Sequence, residues 1–225
     1  MRALVSPGAG PIPGVPNHQP SNLFRFGEIT LYSTHAFPAN TALANSANRI
    51  FTSPLGSNGQ GFATALTKTE TNLKEGGRIP SGQAYDVYGV ATQVIGTDAT
   101  VTQMDEPFND NVATVTTLQN IVNTGVLSWD FTQTVVDICP VMLAGAGGGL
   151  YGAISQNAAG ANSGAMNNGN GGIWMYRKHP VALPGATTFA IVIQFGSRAV
   201  AVPAGFGVAI RVVLLGYYKS VIEIG

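Results

Sequence analysis

An all-β domain, either a sandwich or a barrel, is the fold class this sequence predicts. Eight short runs alternate with period two, at residues 27–33, 61–69, 83–95, 125–131, 134–140, 173–177, 187–195 and 206–218. Turn-forming residues punctuate them, among 29 glycines and 13 prolines. The length of 225 residues suits one such domain, or one with a long arm.

The two C-terminal runs are the clearest. Phe189, Ile191, Ile193 and Phe195 share one face of their strand, and Phe206, Val208, Ile210, Val212 and Leu214 share one face of theirs. Ala209, Val213 and Leu215 make the opposite face of the last run apolar too, which predicts burial on both sides. One segment has helical spacing: Val112, Val115, Leu118 and Val122 recur at intervals of three and four. Its threonines oppose a long helix, so a short one in a loop is expected.

Residues 1–26 read as an extended arm. Pro7, Pro11, Pro13, Pro16 and Pro20 alternate with small residues, which favours polyproline II and excludes helix or central strand. At ~3.1 Å per residue the arm could reach roughly 80 Å. A loose tail and an arm ordered against a neighbour are both compatible with this composition. The globular domain is then residues 27–225. Within it, residues 144–172 read as one long loop, rich in glycine and asparagine. Gly147, Gly149 and Gly152 within it are candidate contact points with a neighbouring subunit.

Charge is scarce. There are 11 basic and 11 acidic residues, 10% of the chain, while hydrophobic residues make up 45%. Ordinary soluble domains carry roughly a quarter charged residues. A compact monomer of this mass would expose about 9,700 Å², leaving one charge for about 440 Å² against about 170 Å² at ordinary composition. With zero net charge, nothing repels one copy from another. Neighbouring subunits that cover much of the surface resolve the difficulty, and an assembly protein is the expectation. The charges are also segregated. Residues 79–137 hold Asp86, Asp98, Asp105, Glu106, Asp110, Asp130 and Asp137 with no Lys or Arg, and residues 138–222 hold Arg177, Lys178, Arg198, Arg211 and Lys219 with no acid. Two readings stand: chance in a charge-poor chain, or complementary faces that meet between subunits.

Signals of catalysis or cofactor binding are weak. Gly147, Gly149 and Gly152 match G-x-G-x-x-G in form, but no helix pattern or acidic residue follows as a dinucleotide site requires. No cofactor is expected. His18, His35 and His179 are isolated in sequence, and no serine lies in a nucleophile elbow. No enzymatic activity is expected. The single cysteine, Cys139, precludes an internal disulfide and reads as a buried thiol in an apolar strand. Asp105, Glu106 and Asp110 offer oxygen ligands for calcium, but outside EF-hand spacing, and a solvated acidic turn explains them better. Trp129, Trp174 and Tyr176 are either core residues or a sugar-stacking platform. Bases do not cluster beyond Arg177–Lys178, so direct sequence-specific nucleic-acid binding is not expected. No apolar run suits a signal peptide or a membrane span.

Three segments carry a resemblance. They are "GRIPSGQAYDVYGVATQV" at 77–94, "LQNIVNTGVLSWDFTQTVVDICPVMLAGAGGGLYG" at 118–152, and residues 181–218, where "TTFAIVIQF" and "FGVAIRVVLLGYY" are joined by "GSRAVAVPAG". Their order resembles the jelly-roll major capsid proteins of tailless icosahedral bacteriophages, especially those enclosing an internal membrane. The resemblance covers about two-thirds of the chain and is one of pattern and order. It implies a single eight-stranded jelly-roll sandwich, assembling with copies of itself into trimeric or hexameric capsomers of a virion, formed in the host cytoplasm. Other capsid proteins and an internal membrane are its implied partners. A carbohydrate- or receptor-binding surface protein of the same fold, gripping its ligand through Trp174 and Tyr176, is the alternative.

Overall fold

The computed structural model describes residues 23–102, 120–131, 134–145, 150–156, 162–168, 172–197, 201–202 and 204–222. It is a two-layered antiparallel β structure. The strands are β1 (Leu23–Phe37), β2 (Ala47–Ile50), β3 (Gln83–Thr97), β4 (Gly125–Phe131), β5 (Thr134–Pro140), β6 (Leu150–Gln156), β7 (Asn162–Asn168), β8 (Trp174–Met175), β9 (Val181–Leu183), β10 (Phe189–Phe195) and β11 (Gly207–Ile222). A 3₁₀ turn, η1 (Val141–Ala144), follows β5, and residues 120–124 are helical. Among the described residues no helix is long and apolar enough to cross a membrane.

One sheet has the order β1-β11-β3-β8, with β9 also paired to β3; the other has the order β2-β10-β4-β5. β6 and β7 form a separate two-stranded ribbon. The central strands are the two with the most continuous apolar sequence, as burial on both faces demands. Phe189, Ile191 and Ile193 of β10 are fully buried, as are Val208, Ile210, Val212 and Leu214 of β11. These meet Val87 and Val90 from β3 and Leu127 and Trp129 from β4 in one core between the sheets.

The β3–β11 pairing contains an irregularity at Leu215/Gly216, and glycine is required there. A Cβ on Gly216 would lie 2.6 Å from the Tyr85 ring. The Tyr85 hydroxyl lies between the Leu214 carbonyl, at 2.8 Å, and the Ile29 carbonyl, which share its single proton, so β3, β11 and β1 meet at one point. Burial pushes this phenol above its ordinary range.

Three sequence expectations change. The stretch 144–172, expected as a loop, contains the β6–β7 hairpin, paired from Leu150↔Asn168 to Gln156↔Asn162. Its Gly and Asn residues are poor strand formers individually, and the ladder supplies what propensity lacks. Residues 61–69, expected as a strand, are turns. Gln60 and Gly61 have φ of 53° and 81°, which ends any extended run there, although Phe62 and Leu66 are still buried. Finally, β1 begins at Leu23, inside the stretch read as arm, and the described strands number eleven where eight were expected. The remainder of the expected helix at 112–122 lies outside the described residues.

Candidate assembly surface

The sandwich has two flanks, and they differ. On one, β1 ends the five-stranded sheet and packs across from β2. Here the connection between β2 and β3 folds back over the free edge of β1. The Ala36 N–H bonds the Gln60 carbonyl at 2.8 Å, the Tyr32 N–H bonds Asn72 Oδ1 at 2.9 Å, and Asn72 Nδ2 donates to the Thr30 carbonyl at 2.7 Å. Gln60 is itself buried. Its amide donates to Ser33 Oγ at 2.8 Å and to the Thr34 carbonyl at 2.7 Å, and its Oε1 accepts from the Thr52 N–H at 3.0 Å. Gly61 allows the close approach: its φ is +81°, and a Cβ there would lie 1.9 Å from the Ala36 carbonyl oxygen. Behind this latch Phe62, Leu66 and Val101 join Ala36 and Ala209 in a second small core on the outer face of the sheet. Over residues 30–36 this edge is blocked in the manner expected of protected edge strands.

His35 lies on this guarded flank, its ring 4.8 Å from that of Phe37. Its Nδ1 is buried without a hydrogen-bond partner. Burial lowers its pKa to about 4, against a weaker opposing interaction with the Arg49 backbone. The imidazole is therefore neutral at physiological pH.

On the other flank β5 ends the four-stranded sheet. Among the described residues its backbone pairs with β4 alone. Its burial does not alternate at the start: residues 134–137 are all exposed, Val135 at 63% and Val136 at 48%. Met142 and Leu143 of η1 are exposed beside it, and so are Ile173 and Met175 around β8. β8 belongs to this flank because residues around it bridge the two sheets. The Tyr176 N–H bonds the Tyr88 carbonyl at 2.8 Å, and the Tyr176 hydroxyl accepts from Trp129 Nε1 at 2.8 Å. Thr92 Oγ1 donates to the Val141 carbonyl at 3.3 Å, fastening η1 to β3. The β6–β7 hairpin leaves the sandwich between η1 and β8, at the same flank.

The residues singled out in the sequence are scattered over this frame. Pro7, Pro11, Pro13, Pro16 and Pro20, the acids Asp105, Glu106 and Asp110, and Gly147 and Gly149 lie outside the described residues. Gly152 sits in β6, paired with Met166 in a strand, where a dinucleotide site would need a helix. Trp129 is buried and stacks on Phe131, while Trp174 and Tyr176 are partly buried against the core. Cys139 is buried in β5, and desolvation pushes its thiol up to about 11. Among the described residues, no three His, Cys, Asp or Glu side chains come together as metal ligands.

The segregated charges are partly used within the chain. Asp130 pairs with Arg49 at 2.8 Å. Arg211 donates to the Thr69 carbonyl at 2.5 Å and to Gln93 at 3.1 Å, with its guanidinium over the Tyr32 ring. Arg177 and Lys178 stand exposed after β8. The Gln60–Asn72 latch was not found by sequence reasoning. Its signal is faint: an Asn-Gly-Gln-Gly run whose glycines mark turns without naming what they touch.

The chain matches no protein-family model, and comparison with curated proteins and with solved structures returns no match.

Proposed function

We propose that this chain is a structural coat protein of jelly-roll fold that self-assembles into an icosahedral viral shell. The strand order supports the fold. With the β6–β7 hairpin set aside and β8 and β9 taken as one interrupted strand, eight strands remain. They pair first with last (β1 with β11), second with seventh (β2 with β10), third with sixth (β3 with β8 and β9) and fourth with fifth (β4 with β5). This is one long hairpin rolled up, the plan of a double-sheet jelly roll. The β6–β7 ribbon is then an insertion between the fifth and sixth strands.

Fold by itself does not give function, and lectins and cupins share this plan. The observation that carries the reading is the unguarded flank. Of nine exposed large hydrophobic side chains among the described residues, six (Val135, Val136, Met142, Leu143, Ile173 and Met175) belong to β5, η1 and the start of β8. A molecule with only 22 formal charges has little else with which to stay apart from its own kind. Concentrated apolar exposure beside an unpaired strand marks an interaction site. Repetition of one such contact around symmetry axes closes a shell.

Sedimentation and electron microscopy of the purified full-length protein test this directly. The reading expects closed shells or capsomer arrays tens of nanometres across. A stable monomer or small trimer at all salt and pH values contradicts it.

A further inference from the structure

We infer that the free edge of β5 receives the first residues of a neighbouring copy, Arg2–Ser6, as an added antiparallel strand. This rests on the shell-forming reading and names the contact that links one subunit to the next. Residues 1–22 lie outside the described residues, which begin at Leu23.

The edge itself is a row of backbone groups with no partner among the described residues, beside Val135 and Val136, a template that strand addition uses. The sequence Met1–Ser6 is the stretch ahead of the first proline, so every peptide N–H after the terminus is available to a ladder. From Pro7 onward the recurring prolines suit a connector and not a strand. The charges match. Asp137 is the sole charged residue of β5, and Arg2 is the sole charged side chain of the hexapeptide. An antiparallel register with Arg2 opposite Asp137 also places Ala3 against Val136 and Leu4 against Val135, so charge meets charge while apolar meets apolar.

The polarity of the fold agrees. Leu23 opens β1 on the guarded flank, at the end of the sandwich where Gly27, Tyr218, Tyr85 and Leu183 stand in line. A short turn leads from Leu183 to Phe189, which faces Phe131, and the next strand starts at Thr134. The start of β1 and the start of β5 are thus at the same end. A donated strand running antiparallel to β5 leaves it at that end, where its own β1 begins. Two copies side by side in one orientation bring the guarded flank of one against the open flank of the other. Residues 7–22 can extend about 50 Å, ample for the crossing, since four strands span only about 20 Å. The contact is head-to-tail, the type that closes into rings and shells.

The test is disulfide trapping in the assembled full-length protein. Leu4→Cys with Val135→Cys is oxidised and run on a denaturing gel. Leu4→Cys with Leu55→Cys, at an exposed site on the segment covering β1, serves as control, and Leu4→Cys alone reports any background from Cys139. The inference expects a ladder of covalent multimers at least about tenfold stronger than in either control, in particles of normal size. Particles that form without the ladder overturn the inference and leave the shell reading standing. A cross-linked band of monomer mass overturns it too, because the occupant is then the chain's own arm. Absence of any particle overturns the shell reading and the inference with it.

Discussion

The edges of β1 and β5 end the two sheets of one sandwich, yet among the described residues one is covered over residues 30–36 and the other is open. β1 has Gln60 and Asn72 bonded along its backbone and a small second core behind them. β5 has exposed valines and no backbone partner beyond β4 among the described residues. On the proposed coat-protein reading, the contrast gives association a direction. A protein this poor in charge cannot suppress edge pairing by electrostatic repulsion. Covering one edge structurally and leaving the other open gives a contact with direction, which a closed assembly requires.

The largest expected effect comes from closing the open edge. Val135→Lys together with Val136→Lys places two charges on an edge whose acids are Asp137 and, across the ladder from Val135, Asp130, which already pairs with Arg49. Particles should be lost in sedimentation while the isolated fold unfolds within about 1 kcal/mol of wild type, because both sites are exposed. Normal particles from this variant would break the comparison at its centre.

Opening the sealed edge is the converse. Gln60→Ala removes the side-chain amide that bonds Ser33 Oγ, the Thr34 carbonyl and the Thr52 N–H at a buried site. The Thr52 N–H and Thr34 carbonyl are left without that partner, and stability should fall by about 2–4 kcal/mol in urea denaturation. Irregular aggregates should replace shells, since β1 then offers a second edge.

The guarded flank also carries a pH dependence. His35 titrates near 4 in the folded protein against 6.5 when exposed, because burial disfavours its cation. Between those values the unfolded chain binds a proton that the folded chain does not. The His35 contribution is fully present above pH 6.5, falls as pH drops through this window, and is exhausted near pH 4, a total on the order of 3 kcal/mol. Denaturation midpoints of wild type and His35→Phe across that range check it. The variant should show a correspondingly flatter profile.

The smallest effect belongs to the bridge on the open flank. Tyr176→Phe leaves Trp129 Nε1 without its acceptor at the rim of the core, costing about 1 kcal/mol in denaturant titration. Assembly should persist, because the hydroxyl braces the flank and is not part of its exposed face.

The fold was legible wherever one face of a strand had to be apolar. β4 and β5 have the bounds expected from alternation alone, and the central β10 and β11 announce themselves by their doubled apolar faces. Legibility fails where pairing outweighs composition. The β6–β7 sequences, LYGAISQ and NSGAMNN, carry no period-two apolar pattern that marks a strand, and only the ladder makes them one. It fails in the opposite sense at residues 61–69, where the alternation is present but positive φ at Gln60 and Gly61 turns the chain. β8 and β9 are too short, at two and three residues, to show a period. The proposed assembly surface was legible as a deficit of charge, not as a place. The place depends on which strand lies at a sheet edge and on whether a distant loop covers it, and neither follows from local sequence.

Hydrogen exchange compares the two edges most directly. Backbone amides of residues 134–137 and of residues 30–36 are followed in intact particles and in the dissociated subunit. The account predicts that assembly slows exchange strongly in β5 and changes β1 little, because β1 is already bonded to Gln60 and Asn72 within the subunit. Equal exchange of β5 in both states, with new protection confined to β1 or elsewhere, would contradict it.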